Sequence, residues 1–251
     1  MSSSTPAFSL DLSFDEAVAY YEAKGLKLSP DSWRDLWETA HARAFTVARV
    51  TEMDMLMDIK IAVDRAIADG VRLDEFQEQL TDLLSRRGWF APTGKDAIME
   101  MPDGTKRKRL TPWRIETIYR TNMQSAYSVG RYEQMMEVAD SRPYWCYMAI
   151  MDGRTRPGHA AMNGMTYRYD DPIWGEWYPP NGFNCRCYVK TLSARQVSDR
   201  EIPVQTGPTD VLPDEGWRYH VGQAGMNPPD VDLDAYPEEL AAYYRRDRDG
   251  G

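Results

Sequence analysis

The stretch RTRPGHAAMNGMTYRYDDPIWGEWYPPNGFNCRC, residues 154–187, is the segment around which the rest of the chain is arranged. It holds one of the three histidines and two of the three cysteines of a 251-residue chain. Sequence with regular helical or strand periodicity lies on both sides of it. This concentration of special residues indicates a built site inside an irregular segment, which is called the central loop below.

Two strands are predicted to flank the central loop. Residues 144–152, YWCYMAIMD, alternate with a period of two, and both faces are apolar, which is typical of a strand buried between layers. Cys146 is therefore predicted to be a small core residue. Residues 188–192 read as a returning strand, after which Ser193 can cap a short helix over residues 194–201.

The N-terminal third is predicted to be a run of helices joined by short turns. Apolar residues recur there every three or four positions, for example Leu56, Ile59 and Val63. Such short connections favour antiparallel neighbours and therefore a small helical bundle. The predicted helices run from Ser13 to Gly25, from Pro30 through the stripe that ends at Phe45, from Thr51 to Gly70, and from Leu73 to Gly88.

The pattern breaks at residues 89–111, which contain several prolines and glycines. A long loop or a β-hairpin turning at Asp103-Gly104 is expected there. Thr111 and Pro112 then suit the N-cap and first position of a long helix, which we expect to reach about Val138.

The resulting fold class is α+β: an N-terminal helical bundle, then a small α+β module with a short sheet, then an extended C-terminal arm with one short helix near Glu238–Tyr244. Four segments follow from these patterns. They are residues 1–30 with one short helix, 31–110 as helical domain and connecting loop, 111–200 as the α+β module, and 201–251 as the arm.

Composition narrows the classes of function. No apolar run approaches the roughly 20 residues of a membrane helix, and we expect no membrane partner and no secretory signal. Three cysteines are too few for a disulfide framework, so free or metal-bound thiols in a reducing compartment are expected. The formal charge of −9 argues against wrapping nucleic acid. Local basic spots remain at Lys106–Arg109, Arg245, Arg246 and Arg248.

One interpretation of the central loop is a metal site. His159, Cys185 and Cys187 offer an imidazole and two thiolates, which suit zinc, and Asp152, Cys146 or water could be the fourth ligand. In an extended C-x-C segment both thiols point the same way. Structural zinc sites more often use longer C-x-x-C loops, so the spacing alone does not decide for a metal.

A second interpretation is a loop tied by hydrogen bonds and packing. A buried Arg154 or Arg156 would pair with Asp152 or Asp171, and His159 would bond to a backbone carbonyl. The aromatic cover would come from Trp174, Trp177, Tyr178 and the following prolines.

Catalysis is the third interpretation, with a cysteine, a histidine and an aspartate as nucleophile, base and orienting residue. Spacing does not place a thiol within reach of the imidazole, and no H-E-x-x-H helix or phosphate-binding loop is present. We therefore predict no enzyme. The alternative is a metal-dependent hydrolase or nuclease-like effector that uses His159, Cys185 and Cys187.

The chain resembles the Mu F-like minor head, or head morphogenesis, proteins of tailed bacteriophages. The resemblance covers roughly residues 31–195 and rests on the helix IETIYRTNMQSAYSVGRY, on RPYWCYMAIMDGRTRPGHAAMNG and on YPPNGFNCRCYV. The D-x-R-T-R-x-x-H and C-R-C elements in this order are the specific part. The family's motif positions are matched by Asp152, Arg154, Arg156, His159, Gly164, Pro179, Pro180, Cys185, Arg186 and Cys187.

The resemblance implies a virion component that associates with the portal and other head proteins and acts in head assembly. Its location would be the virion head, and the host cytoplasm during assembly. The acidic net charge with local basic spots fits contact with packaged DNA at a few points only. Many family members carry a histidine shortly before C-R-C, where this chain has residues 181–184, NGFN. A metal site here would therefore have one ligand fewer.

Overall fold

The computed structural model describes residues 25–26, 44–45, 53–94, 97–100, 104 and 106–226. The predicted helix from Ser13, most of the one after Pro30, the helix near Glu238–Tyr244 and the C-terminal arginines lie outside these residues. Among the helices that are described, none combines the length and apolar character needed to cross a membrane.

The first described elements are two short parallel strands, β1 at Gly25–Leu26 and β2 at Ala44–Phe45. The prediction that the helical stripe after Pro30 continues through Phe45 was therefore wrong at its end. Phe45 is followed by Thr46 and Val47, and aromatic and β-branched residues favour extended backbone.

Two amphipathic helices follow as predicted, α1 at Met53–Ala68 and α2 at Leu73–Arg86. Gly70 joins them with a φ of 66°, a left-handed conformation that glycine adopts without strain. Each helix buries its apolar stripe in the core. The buried residues include Leu56, Ile59, Val63, Phe76, Leu80 and Leu84.

The segment between the helical half and the long helix forms a β-hairpin, which was one of the two structures predicted for it. Strands β3 at Ile98–Glu100 and β4 at Lys106–Lys108 pair antiparallel. Gly104 lies in the turn with a φ of 80°, which the Asp-Gly pair anticipates.

The long helix α3 spans Pro112–Glu137 with proline at its first position, as predicted. Thr111 occupies the N-cap position but makes no side-chain capping hydrogen bond. Ile115, Ala126 and Val129 are fully buried on the inner face. The helix contacts α1 and α2, so it joins the helical half to the rest of the fold.

A three-stranded antiparallel sheet forms the α+β module, with β5 at Tyr144–Met148 between β6 at Thr166–Arg168 and β7 at Tyr188–Leu192. The strands β5 and β7 were predicted, but β5 ends earlier than expected. Met151 is 59% exposed. The strand β6 was not predicted, because three residues inside a loop carry no readable periodicity.

Four short helices complete the part of the fold that the structure describes. The helices α4 at Pro157–Met162 and α5 at Trp174–Trp177 lie within the central loop and were not predicted. The helix α6 at Ala194–Asp199 begins at Ser193 as expected, with a full capping box to Gln196. The helix α7 at Val221–Met226 lies in the arm, packs on α3, and was not predicted.

The hydrophobic core is continuous from α1 to α7. Between residues 201 and 220 the arm has no helix or strand, yet it packs onto the core, where Trp217 and Tyr219 are buried. The described residues therefore form an α+β fold, with residues 201–226 of the arm packed on its core. The division into four segments stays a prediction.

Candidate functional site

Strand pairing brings the two ends of the central loop together. Met148 at the end of β5 pairs with Tyr188 at the start of β7. The chain that leaves β5 towards Asp152 therefore lies beside the Cys185–Cys187 segment that enters β7. Just before the Cys185–Cys187 segment, Asn184 has a left-handed φ of 56°. Asparagine tolerates this conformation better than most residues.

The three predicted metal-ligating residues meet in the core. His159 Nδ1 lies 3.4 Å from Cys187 Sγ and 3.7 Å from Cys185 Sγ. The ligand atoms of the three side chains all lie within 4.8 Å of one another, and the three residues are 3–5% exposed. His159 therefore faces the thiols. The prediction that His159 bonds to a backbone carbonyl was wrong.

Asp214 is a candidate site residue that the sequence did not indicate. Its Oδ1 lies 3.7 Å from His159 Nε2, and its Oδ2 lies 2.9 Å from Arg156 Nε. His159 Nε2 is buried and has no hydrogen-bond partner among the described residues. Asp214 belongs to the irregular arm, where no periodicity or motif sets one carboxylate apart from its neighbours.

The ion pairs of the loop differ from those expected. Arg186 binds Asp152 through two short hydrogen bonds of 2.6 and 2.7 Å. Arg154 lies 3.8 Å from the same carboxylate, but its side chain is 78% exposed, so the pair is not the buried one that was predicted. The difference follows from pairing of β5 with β7, which sets the C-R-C segment beside Asp152.

Arg156 also has a different partner from the one expected. It pairs with Asp214, and it donates to the Phe183 carbonyl oxygen at 2.6 Å. Asp171 instead accepts the backbone N–H groups of Ile173 at 3.0 Å and Gly207 at 3.2 Å. Arg156 therefore ties the loop to the arm, because the arm packs over this end of the sheet.

The motif glycine and prolines shape the backbone around the cluster. Gly164 has a φ of 85° and donates its N–H to the Tyr147 carbonyl oxygen at 2.8 Å. The Pro179–Pro180 bond is cis and leads to Asn181, which is fully buried. Asn181 Oδ1 accepts a 3.0 Å hydrogen bond from Tyr147 Oη.

Aromatic side chains cover the cluster from inside. Trp177 lies edge-to-face against His159, with ring centroids 6.0 Å apart, and against Tyr147 at 5.6 Å. Its Nε1 donates to the Val211 carbonyl oxygen at 3.0 Å. Of the three aromatic residues that were expected to cover the loop, Trp177 therefore lies against His159, and the arm is bonded to it.

A sequence model of the family described as Phage Mu protein F like protein matches residues 57–190. The chain belongs to this family. It is 40% identical over 252 residues to the putative capsid assembly protein F of Escherichia phage Mu, with 88% of this chain and 56% of that protein covered. It is 41% identical over 175 residues to the Mu-like prophage FluMu F protein of Haemophilus influenzae, with 70% and 41% covered.

The chain thus spans about half the length of these curated Mu F relatives. No solved structure matches it. The matched residues contain α2, α3, β5, β6, the first three residues of β7 and the whole central loop. The histidine–cysteine cluster therefore lies within the family region, while Asp214 lies beyond it.

The two thiols of this Mu F-like site differ in pKa because their burial and their charged neighbours differ. The hydrogen bond with Cys187 and burial raise the pKa of the Cys185 thiol well above its ordinary value. The hydrogen bond from Cys185 lowers the pKa of Cys187, with help from Tyr147 and nearby arginines. Cys187 is therefore the thiol that loses its proton more readily.

The pKa of His159 reflects opposing effects. Burial alone would lower it, but the Asp214 carboxylate and Cys185 together raise the pKa to about 9. The Arg186 guanidinium bonded to Asp152 holds the pKa of that carboxyl well below its usual range. Charged side chains therefore lie on both sides of the cluster.

A pocket with a volume of about 20 Å³ adjoins the cluster, which is room for about one water molecule. Arg154, Arg156 and Arg186 line it together with the three cluster residues. The fold thus brings a thiol within reach of an imidazole, which spacing alone did not indicate, but it leaves little space for a substrate.

Cys146 does not belong to the cluster. It is 4% exposed, and its Sγ lies 3.7 Å from Met148 Sδ, which confirms the prediction of a core residue. Asp152 is held by Arg186. Neither of these two proposed fourth ligands joins the three-residue ligand group among the residues that the structure describes.

Proposed function

We propose that the chain is a structural component of a bacteriophage head that acts in capsid assembly and head morphogenesis. The observation that carries this proposal is its 40% identity over 252 residues to a phage Mu protein named as a putative capsid assembly protein. The role is assigned to the shared part of the two proteins, since 56% of the Mu protein is covered.

We further propose that the histidine–cysteine cluster holds the fold and does not catalyse a reaction. The cluster residues are only 3–5% exposed, and the adjoining pocket of about 20 Å³ is far smaller than the roughly 300–1,000 Å³ of ordinary ligand sites. A metal-dependent hydrolase or nuclease-like effector would need a cleft that admits a polymer to these side chains.

The partners proposed are the portal protein and other head proteins, with the virion head as the location and the host cytoplasm as the site of assembly. An assembly protein needs exposed contact surfaces more than a pocket. Trp113 at the start of α3 is 67% exposed, and tryptophan is enriched in the energetically important part of interfaces. This supports docking through the start of α3, which contacts the helical half.

Co-purification with the portal tests this role. The full chain is expressed together with the portal protein of the phage or prophage that encodes it, and a tag on the portal is used for capture. We expect Trp113→Ala to reduce capture of the chain, while Met151→Ala, which changes another apolar side chain that is 59% exposed, leaves it unchanged. Failure of the unaltered chain to co-purify would contradict the proposed portal association.

Contact with packaged DNA is proposed only at the basic hairpin segment Lys106–Arg109, because the net charge of −9 disfavours a broad DNA surface. Four charges give a salt dependence of binding with a log–log slope no steeper than about −4. Replacing all four residues by glutamine should abolish measurable binding of duplex DNA in fluorescence anisotropy. Unchanged binding would contradict this contact.

A further inference from the structure

We propose that His159 Nδ1, Cys185 Sγ and Cys187 Sγ bind one zinc ion, with water from the adjoining pocket as the fourth ligand and Asp214 as the carboxylate that orients His159. The proposal goes beyond the head-assembly role and does not depend on it. The ion would join helix α4 to the segment that enters strand β7.

The distances between ligand atoms carry the proposal. Bond lengths of about 2.3 Å to sulfur and 2.0–2.1 Å to nitrogen with tetrahedral angles place a zinc-bound nitrogen about 3.5 Å from a zinc-bound sulfur. The observed distances from His159 Nδ1 are 3.4 and 3.7 Å, and no pair among the three ligand atoms exceeds 4.8 Å. The three side chains therefore already surround a point at which a tetrahedral ion fits.

The other nitrogen of His159 gives a second, independent observation. Its Nε2 is buried, lacks a hydrogen-bond partner among the described residues, and faces Asp214 Oδ1 at 3.7 Å. A metal-bound histidine usually donates its free N–H to a carboxylate, which fixes the tautomer and the ring orientation. With Nδ1 on the ion, Nε2 carries the proton, and the Asp214 carboxylate faces this N–H group as its hydrogen-bond acceptor.

Arg156 completes this arrangement, because its Nε lies 2.9 Å from the other oxygen of Asp214. The carboxylate is therefore held between Arg156 and the imidazole. On the opposite side, Arg186 is paired with Asp152. The charges around the two thiolates are thus paired, and a divalent ion balances the thiolates themselves.

Ligand chemistry selects the ion. Two thiolates and an imidazole favour zinc over magnesium, calcium or manganese, which prefer oxygen ligands. The fourth position opens to the pocket of about 20 Å³, which admits one water molecule. The ligands come from two segments that are distant in the chain, so the ion would clip the central loop closed.

The metal content of the purified full chain tests the proposal. The protein is produced without a histidine tag, kept under reductant, and measured by inductively coupled plasma mass spectrometry. We expect about one zinc ion per chain, and loss of that zinc in His159→Gln and Cys187→Ser. Cys146→Ser, which changes a buried thiol outside the cluster, should retain zinc. Equal loss in Cys146→Ser would overturn the assignment.

Because a ligand variant that fails to fold would also lose its metal, the unaltered chain is titrated with Co²⁺ after removal of zinc. Thiolate-to-cobalt charge-transfer absorption and the visible bands of tetrahedral Co²⁺ are expected, and their absence would overturn the proposal.

The role of Asp214 has its own test. Asp214→Asn should weaken zinc affinity by about 10–100-fold in competition with a chelator, with the circular dichroism spectrum unchanged. The exposed Asp210→Asn is the matched control and should bind zinc like the unaltered chain. Equal affinity in both variants would remove Asp214 from the site.

Discussion

Asp214 connects parts of the molecule that are distant in the chain. Its carboxylate contacts Arg156 and faces His159, while its backbone N–H donates to the Asn181 carbonyl oxygen at 3.1 Å. The same carboxylate occupies the space into which a side chain at Gly182 would project. A side chain at this position would therefore displace the Asp214 carboxylate.

Gly182→Ala is predicted to destabilise the fold, because the added methyl group must displace the Asp214 carboxylate from Arg156. We expect a loss of about 1–3 kcal/mol in the free energy of unfolding, measured by urea denaturation. Gly153→Ala is the control, since a methyl group there meets no atom within 4 Å. Equal stability of the two variants would show that Asp214 moves away without cost.

His220 provides a pH-dependent contribution to stability. It is 5% exposed and stacks on Tyr178 with ring centroids 4.3 Å apart. Burial lowers its pKa to about 3, compared with about 6.5 in an unfolded chain. The unfolded state thus binds more protons between these values, so stability is complete above about pH 6.5 and is lost as the pH falls towards 3.

His220→Asn should flatten this pH dependence. Asparagine keeps an acceptor for the Gln223 N–H, which His220 Nδ1 accepts at 3.1 Å at the start of α7, but it does not titrate. The difference in free energy of unfolding between about pH 7 and about pH 5 should be smaller in the variant than in the unaltered chain. An identical difference would mean that His220 is not the group responsible.

At the scale of elements, helix α7 depends on close approach to α3. A Cβ added at Gly222 would lie 2.5 Å from Tyr132 Cγ. The Tyr132 ring cannot turn aside easily, because it packs edge-to-face on Trp145 and Tyr178. The glycine therefore sets the distance between the two helices.

Gly222→Ala is accordingly predicted to lower the melting temperature, with a cost of about 1–3 kcal/mol from overpacking. Gly175→Ala in the short helix α5 is the matched control, because a methyl group there meets no atom within 4 Å. Differential scanning calorimetry of both variants measures the effect. A variant at Gly222 as stable as the control would indicate that α7 does not pack on α3 as described.

Prediction from sequence succeeded where an element carries its own signal. The helices α1, α2 and α3 have long apolar stripes, and α6 has a capping box. Prediction failed for β6 and α7, because these elements are stabilised by tertiary contacts and not by a sequence pattern of their own. Thr166 of β6 pairs with Cys146, and α7 packs on α3. The stretch after Pro30 was read as helical to Phe45, although β2 ends there.

Part of the candidate site could likewise be predicted from the sequence, and part of it could not. The cluster residues His159, Cys185 and Cys187 were recognisable because imidazole and thiol groups are rare in this chain. The partner of Arg156, Asp214, was not recognisable from the sequence, because the pairing depends on how the arm packs. Aspartates are common in the arm, and only the folded chain distinguishes Asp214 from the others.

At the scale of the whole molecule, one continuous core runs from the helical half to the arm. A shared core favours a single cooperative unfolding transition. Leu56→Ala in α1 should cost about 2–5 kcal/mol, and it should shift the tryptophan fluorescence transition and the far-ultraviolet circular dichroism transition together. Two separate transitions, of which Leu56→Ala moves only one, would favour independent domains.

The relationship to Mu F proteins also applies to the molecule as a whole. The family region covers residues 57–190, which includes most of α1, all of α2 and α3, and the sheet as far as residue 190 of β7. The relationship therefore extends over most of the described fold and not over the histidine–cysteine cluster alone.

A cryo-EM reconstruction of the assembled head of the encoding phage or prophage tests the central claim most directly. The account predicts density at the portal into which the fold of residues 53–226 fits, with the cluster buried and the helical half facing the portal. Particles in which the head and portal are fully traced without any density for this chain would contradict it.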